Sequence, residues 1–182
     1  MWTIPGSVLQ IKREDADRIP QQLEALFFGG GITLSQVTGI TGLEAYTVQN
    51  WVKRGFLAAP VGKRYTLRQL CRILNINMLR GTMTIDRICK LLAYVNGQLD
   101  DESDDMIDDS QLYFLFVKLA VRMKELYDPE KAEAVLEAYL ADYQEPVSGA
   151  KERVRQVLRI MLTAWLAARM MQQTETMLNA LQ

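Results

Sequence analysis

The stretch from Thr33 to Gly97 is punctuated more tightly than any other segment of the chain, and that punctuation limits what it can fold into. Thr33-Leu34-Ser35-Gln36 has the form of a capping box: the threonine hydroxyl takes an unpaired amide at a helix start, and the glutamine reaches back to it. The helix so opened buries Leu34, Val37 and Ile40, and Gly42 supplies the positive φ of a tight turn. A second helix is expected from about Glu44 to Arg54, with Val48, Trp51 and Val52 at i, i+3 and i+4 as its buried stripe. Its opposite face carries Tyr46, Gln49, Asn50 and Lys53, with Arg54 at the edge. Gly55 ends the helix, and Pro60-Val61-Gly62-Lys63-Arg64-Tyr65 has the composition of a short hairpin. Thr66-Leu67-Arg68-Gln69 repeats the capping box and opens a third helix with Leu67, Leu70, Cys71, Ile73 and Leu74 inward. Arg68 and Arg72 are expected on its outer face, in reach of phosphates. Thr84 is expected to cap a fourth helix, with Ile85, Ile88, Cys89, Leu91 and Leu92 as its apolar set and Gly97 as its end.

A short helix, a glycine turn and a second helix with a polar outer face make a helix-turn-helix, and the hairpin after it takes the place of a wing. The first helix and the turn hold the second steeply enough for its outer face to enter a major groove. Asn and Gln place paired hydrogen bonds on adenine, and Lys or Arg reaches guanine or phosphate. Gln49, Asn50, Lys53 and Tyr46 are therefore the candidate base readers; Arg54, Lys63, Arg64 and Arg68 are the candidate phosphate contacts. Such helical pairs also occur as plain packing units, so a protein-binding role stays open.

Charge is distributed in keeping with this. The whole chain carries a formal −1, yet between Ile32 and Leu99 nine basic residues face two acids, Glu44 and Asp86. A basic block inside a neutral chain outlines a nucleic-acid module, although the same side chains also serve to solvate helix faces.

Thr41-Gly42-Leu43, the run Thr47-Val48-Gln49-Asn50-Trp51-Val52-Lys53-Arg54-Gly55-Phe56-Leu57, Pro60 and Arg64-Tyr65 resemble the winged-helix DNA-binding domain of MerR-type regulators. The resemblance extends through 66–80 and 84–97 and implies a fold with duplex DNA as partner. Gln49 and Asn50 stand where that family carries an arginine and an aromatic, and the wing is shorter, which implies fewer contacts from Lys63 and Arg64. The metal-sensing cysteines of some members have no counterpart. A stretch from Thr41 to Tyr113, including Arg72-Ile73-Leu74 and Asn96-Gly97, is closer still to a group of bacterial proteins described only as a domain of unknown function.

Between Asp100 and Asp109 stand seven acids and no base. An EF-hand would need alternating ligands, Gly at its sixth position and Glu at its twelfth, and that register is absent. The run is expected to connect two units, its last acids or Ser110 favouring the start of a helix near Leu112. Folding back over a basic face, and a metal site, are the alternatives.

Beyond it, Leu112 to Val117 is apolar all round and reads as a buried helix. Asp128-Pro129-Glu130 opens another helix to about Tyr143, and Pro146-Val147-Ser148-Gly149 breaks it. A last helix from about Lys151 toward Leu181 carries Val154, Leu158, Met161, Trp165 and Ala168 at the spacing of a helix–helix seam. Leu162, Leu166, Met170, Met177 and Leu181 widen that surface. A second copy is the simplest partner for it; an intramolecular core alone and an apolar ligand pocket are the other readings.

The chain has no histidine, so Ser/His/Asp triads, Cys/His dyads and His-based zinc sites are excluded. No catalytic residue, metal ligand or cofactor is assigned, and an enzyme is not expected. The longest apolar run, Ile160 to Ala168, falls short of the roughly 18 residues of a membrane span. Met1-Trp2-Thr3-Ile4-Pro5 lacks the marks of a secretion signal, and the lone Cys71 and Cys89 fit a reducing cytoplasm.

The expected protein is all-α: an N-terminal segment (1–30), a winged helix-turn-helix (31–97), an acidic connection (98–110) and a helical C-terminal region (111–182) with a long terminal helix. Its expected role is sequence-specific DNA-binding transcriptional regulation as a homodimer joined through the C-terminal helices. The alternative is a non-catalytic helical adaptor that uses the helix-turn-helix to bind protein.

Overall fold

Both capping boxes form. In the computed structural model, which describes residues 1–99, 101, 103–122 and 129–181, Thr33 Oγ1 accepts from the Gln36 amide while Gln36 Oε1 accepts from the Thr33 amide, at 3.3 and 2.9 Å. Thr66 and Gln69 do the same at 3.2 and 2.9 Å. They open α2 (Leu34–Thr41) and α4 (Leu67–Leu79), with α3 (Ala45–Lys53) between them. Before α2 come a two-stranded antiparallel sheet of β1 (Trp2–Thr3) and β2 (Gln10–Ile11), a 3-10 turn (Arg13–Arg18) and α1 (Ile19–Ala25). After α4 follow α5 (Ile85–Asn96), α6 (Asp109–Val121), α7 (Pro129–Tyr139) and α8 (Ala150–Asn179). The described chain is thus mostly helical. Thr84 precedes α5 in the cap position, but its side chain makes no cap bond. The cap assigned to Asp128 lies outside the described residues, as do Asp100 and Glu102.

The centre of the molecule is α4. It packs against α2, α5, α6 and α8, and nine of its 13 residues are buried, Arg72 and Asn75 among them. A single cluster of buried side chains runs from Trp2 to Trp165. The acidic connection therefore does not separate one core from another. Ile107 within it is 2% exposed, and the amides of Met106 and Ile107 donate to the Val95 carbonyl at the end of α5.

The N-terminal segment is built into this core. Trp2, Ile4, Ile19 and Leu23 are buried. Gly6 adopts φ +74 so close to α4 that a Cβ would stand 2.2 Å from the Leu74 carbonyl oxygen, which only glycine accommodates. Asn77 Nδ2 donates to the carbonyls of Gly6 and Thr41, at 2.8 and 3.0 Å, and so ties this loop to α2. The buried Tyr113 hydroxyl donates to the Pro5 carbonyl at 2.8 Å.

The two halves of α8 differ. Val154, Val157, Leu158, Met161, Leu162 and Trp165 are buried, and Trp165 meets Phe116 edge to face, with ring centroids 5.8 Å apart. The first half of the predicted seam is thus used within the chain, against α4, α5 and α6. Ala168 and Leu166 are half-buried, and Met170, Met171, Met177, Leu178 and Leu181 are exposed. On its other side α8 meets α7 through Lys151–Glu137 at 3.1 Å and Arg155–Glu137 at 2.8 Å. No helix among the described residues is long and apolar enough to cross a membrane.

Candidate nucleic-acid interface

The turn between α2 and α3 is locked from within. Thr41 Oγ1 donates to the Val37 carbonyl at 2.8 Å and accepts from the Leu43 amide at 3.3 Å, while Gly42 takes φ +69. The next helix is anchored by Val48 and Trp51, 0% and 2% exposed. Tyr46, Gln49, Asn50, Lys53 and Arg54 all lie on the side away from these anchors, and Tyr46 stands 71% exposed. All the sequence-predicted base readers therefore share the outer face of α3. Arg54 folds over the Phe56 ring, its guanidinium carbon 4.5 Å from the centroid, which holds it at the end of the helix.

The hairpin follows in the chain. Val61 pairs with Arg64, whose amide donates to the Val61 carbonyl at 2.9 Å, across Gly62 and Lys63 at φ +55 and +61. Two left-handed central residues are what a two-residue type I′ turn requires. Lys63 is the sole non-glycine residue with positive φ among the described residues, and it stands exposed at the tip. The base of the hairpin is fixed by Tyr65, whose amide and carbonyl exchange hydrogen bonds with Ile32 at 2.8 and 3.0 Å, just before α2. Arg64 is exposed as well, but its Nη1 donates to the Gly31 carbonyl at 3.1 Å. Gln69, besides capping, donates to the carbonyls of Ala58 and Ala59 at 3.0 and 3.1 Å and so fixes the loop leading into the hairpin.

The third helix departs from expectation. Arg72 is not on an outer face. It is 5% exposed, its Nε donates to the Phe56 carbonyl at 2.9 Å, and its Nη1 lies 3.3 Å from Asp109 Oδ2. Arg68 Nη2 lies 2.8 Å from Asp105 Oδ2, so it is not presented to a phosphate as anticipated. The reason is that α6 and the acidic segment pack across the side of α4 that helical spacing alone would leave to solvent. The acids at i and i+4, Asp105 and Asp109, meet arginines at i and i+4, Arg68 and Arg72. That matched spacing is a signal the charge count missed.

Desolvation dominates both acids. Burial pushes Asp105 up to about 6 against the pull of Arg68, and Asp104, Asp108 and Asp109 add to the rise. Asp109 is raised by burial too, with Arg72 and Arg68 opposing. Asp105 Oδ1 is buried without a hydrogen bond among the described residues. Asp108 caps α6, accepting from the amides of Ser110 and Gln111 at 2.6 and 3.1 Å. The Tyr143 hydroxyl donates to the Met106 carbonyl and pins the segment from outside. A cavity of about 840 Å³ opens beside it, walled by Arg68, Asp105, Phe114, Lys118 and Tyr139.

Both cysteines are free, Cys71 buried and Cys89 half-buried. Burial raises both thiols, which disfavours the thiolate needed for nucleophilic or metal chemistry. Among the described residues no three His, Cys, Asp or Glu side chains gather closely enough to hold a metal ion.

Similarity to known proteins follows the same geometry. A family model described as a domain of unknown function (DUF1836) matches residues 32–116, from the residue that holds the base of the hairpin to the middle of α6. The matched span thus includes both members of each arginine–aspartate pair. An uncharacterized protein of Bacillus subtilis (strain 168), YkrK, is 26% identical over 141 residues, covering 71% of this chain. The chain spans 60% of that relative's length. No solved structure matches.

Proposed function

We propose that the chain is a sequence-specific DNA-binding transcriptional regulator in which α2, its glycine turn, α3 and the 61–64 hairpin act as a winged helix-turn-helix of the MerR-like kind. The observation that carries this reading is the exposed polar face of α3, with Gln49, Asn50, Lys53 and Tyr46 on one side and Arg54 at its end, followed in the chain by a hairpin whose Lys63 and Arg64 are exposed. The first four read base edges in the major groove; Arg54, Lys63 and Arg64 hold phosphates. A homodimer through the exposed end of α8 would set two half-sites at a fixed spacing.

The test is a fluorescence titration of the full chain against a random duplex pool at about 50 and 200 mM salt. Three phosphate contacts per copy predict a loss of roughly one and a half decades in affinity across that range. Site selection from the pool follows. Asn50→Ala then relaxes specificity at one position, by about 1–3 kcal/mol if the contact is bidentate, whereas Arg64→Ala weakens all sequences alike. No binding at low salt overturns the proposal.

The adaptor reading draws support from the 71% exposure of Tyr46 and from the two arginines that Asp105 and Asp109 remove from the basic face. It predicts silence in the titration and capture of a helical protein partner that Tyr46→Ala abolishes.

A further inference from the structure

Leu112 to Val117 is apolar on every side, and the core takes only part of it. Leu112, Tyr113, Phe116 and Val117 are buried, whereas Phe114 and Leu115 are half-buried. These two belong with Gln111 and Lys118 to a stripe at i, i+3, i+4 and i+7, and that stripe lines the cavity of about 840 Å³. A second wall comes from α7 and the turn after it, where Ala138, Tyr139, Asp142 and Tyr143 recur at helical spacing. The segment 105–108 completes the lining. A volume of this size falls within the roughly 300–1,000 Å³ of small-molecule sites, which pair apolar walls with a few polar groups.

The polar groups here are unevenly placed. Gln111 and Lys118 stand seven residues apart, so the stripe runs about 10 Å along the helix. Acids collect toward its start: Asp105 and Asp108 precede α6, and Asp142 is next in the chain to Tyr143, whose hydroxyl donates to the Met106 carbonyl. The Asp105 side chain is 9% exposed; one oxygen lies 2.8 Å from Arg68, and the other is buried with no hydrogen bond among the described residues. A buried carboxylate oxygen without a donor is costly, and an ammonium group seated at this end supplies one. Asp108 is occupied as the cap of α6. Asp142 at this end and Lys118 at the other join no ion pair among the described residues. Nor do three acids there gather closely enough to hold a metal ion, which leaves an organic cation for the acidic end.

We propose that this cleft binds a linear zwitterion about 10 Å long with an aromatic or apolar middle, the length and charge pattern of a tripeptide. Its ammonium lies toward Asp105 and Asp142, its carboxylate toward Lys118, and its central side chain against Phe114 and Tyr139. The inference stands apart from the DNA-binding reading.

The experiment is calorimetric titration of the full chain at pH 7.5 with alanyl-phenylalanyl-alanine, its N-acetyl form, its C-terminal amide and trialanine. The expected result is saturable binding of the free peptide, one per chain. Acetylation and amidation each weaken it about three- to tenfold, the share of one partly exposed charged contact. Trialanine binds roughly tenfold or more weakly, having lost the buried ring. Lys118→Gln weakens the free peptide and leaves the amide unchanged; Asp142→Asn weakens the free peptide and leaves the acetylated form unchanged. Both residues are exposed, and thermal melts check that each variant is folded. The proposal is overturned if the free peptide shows no saturable binding, or if trialanine binds equally well. It is overturned too if both variants bind all four peptides as the parent does.

Discussion

Arg72 and Asp109 stand 37 positions apart in the chain and 3.3 Å apart in space, both nearly sealed from water. Through its Nε bond to the Phe56 carbonyl, the arginine also fixes the bend that leaves α3. One side chain on α4 therefore joins the end of the candidate recognition helix to the first turn of α6. Removing one member leaves a buried charge without its counter-ion, so Asp109→Ala is expected to cost about 3–5 kcal/mol in urea unfolding. Replacing both, as Arg72→Met with Asp109→Leu, is expected to recover most of that loss. A double variant no more stable than Asp109→Ala refutes this account.

The two capping boxes are alike in sequence and unequal in their surroundings. Thr33→Ala and Thr66→Ala are each expected to lose about 1 kcal/mol, and the losses should add in the double variant. Gln69→Ala should cost more than Gln36→Ala by roughly 1 kcal/mol, because Gln69 also serves the Ala58 and Ala59 carbonyls. Equal costs for the two glutamines count against that extra role.

Lys63 combines a positive φ with an exposed charge, and the two are separable. Asparagine tolerates the left-handed region, so Lys63→Asn is expected to leave stability within about 0.5 kcal/mol while the DNA salt slope falls by about 0.9. A β-branched residue such as valine at the same place is strained and should lower the melting temperature. The reverse ranking of the two variants in thermal melts overturns the turn assignment.

Asp105 gives stability a defined pH dependence. Its folded carboxyl is raised from 3.8 to about 6, so the folded state holds the proton more tightly than the unfolded one. The stabilisation is therefore complete below about pH 4 and is lost as pH rises through 6. Asp105→Asn and the parent should accordingly melt together near pH 4, with the variant melting higher above pH 6.5. Identical melting curves at pH 7.5 rule this out.

The end of α8 predicts an oligomer. Trp165 is the last buried residue of this helix; beyond it Met170, Met171, Met177, Leu178 and Leu181 face solvent in one copy. A helical overhang of this length is marginal alone, and a second copy covers it in the proposed dimer. Light scattering at micromolar concentration should give twice the chain mass. Truncation after Arg169 should halve it with little change in melting temperature. A monomeric mass for the full chain defeats the proposal.

What the sequence determined by itself is whatever depends on neighbours within one helical turn or one hairpin. The capping boxes at Thr33 and Thr66, the positive φ at Gly42, the buried stripe of Val48 and Trp51 and the length of α8 are written in spacings of three, four and seven residues. The outer face of α3 was legible for the same reason: once one stripe is buried, helical geometry assigns the other. Only the tertiary structure decided where Arg68 and Arg72 point, what the acidic run does and why residues 1–30 belong to the core. Those outcomes rest on contacts spanning 37, 71 and 108 positions, as in Arg72–Asp109, Asn77–Gly6 and Tyr113–Pro5. A local pattern shows that a side chain is charged. Whether that charge meets water, a phosphate or a buried carboxylate depends on which distant surface folds against it, and that is settled by the packing of α6 on α4.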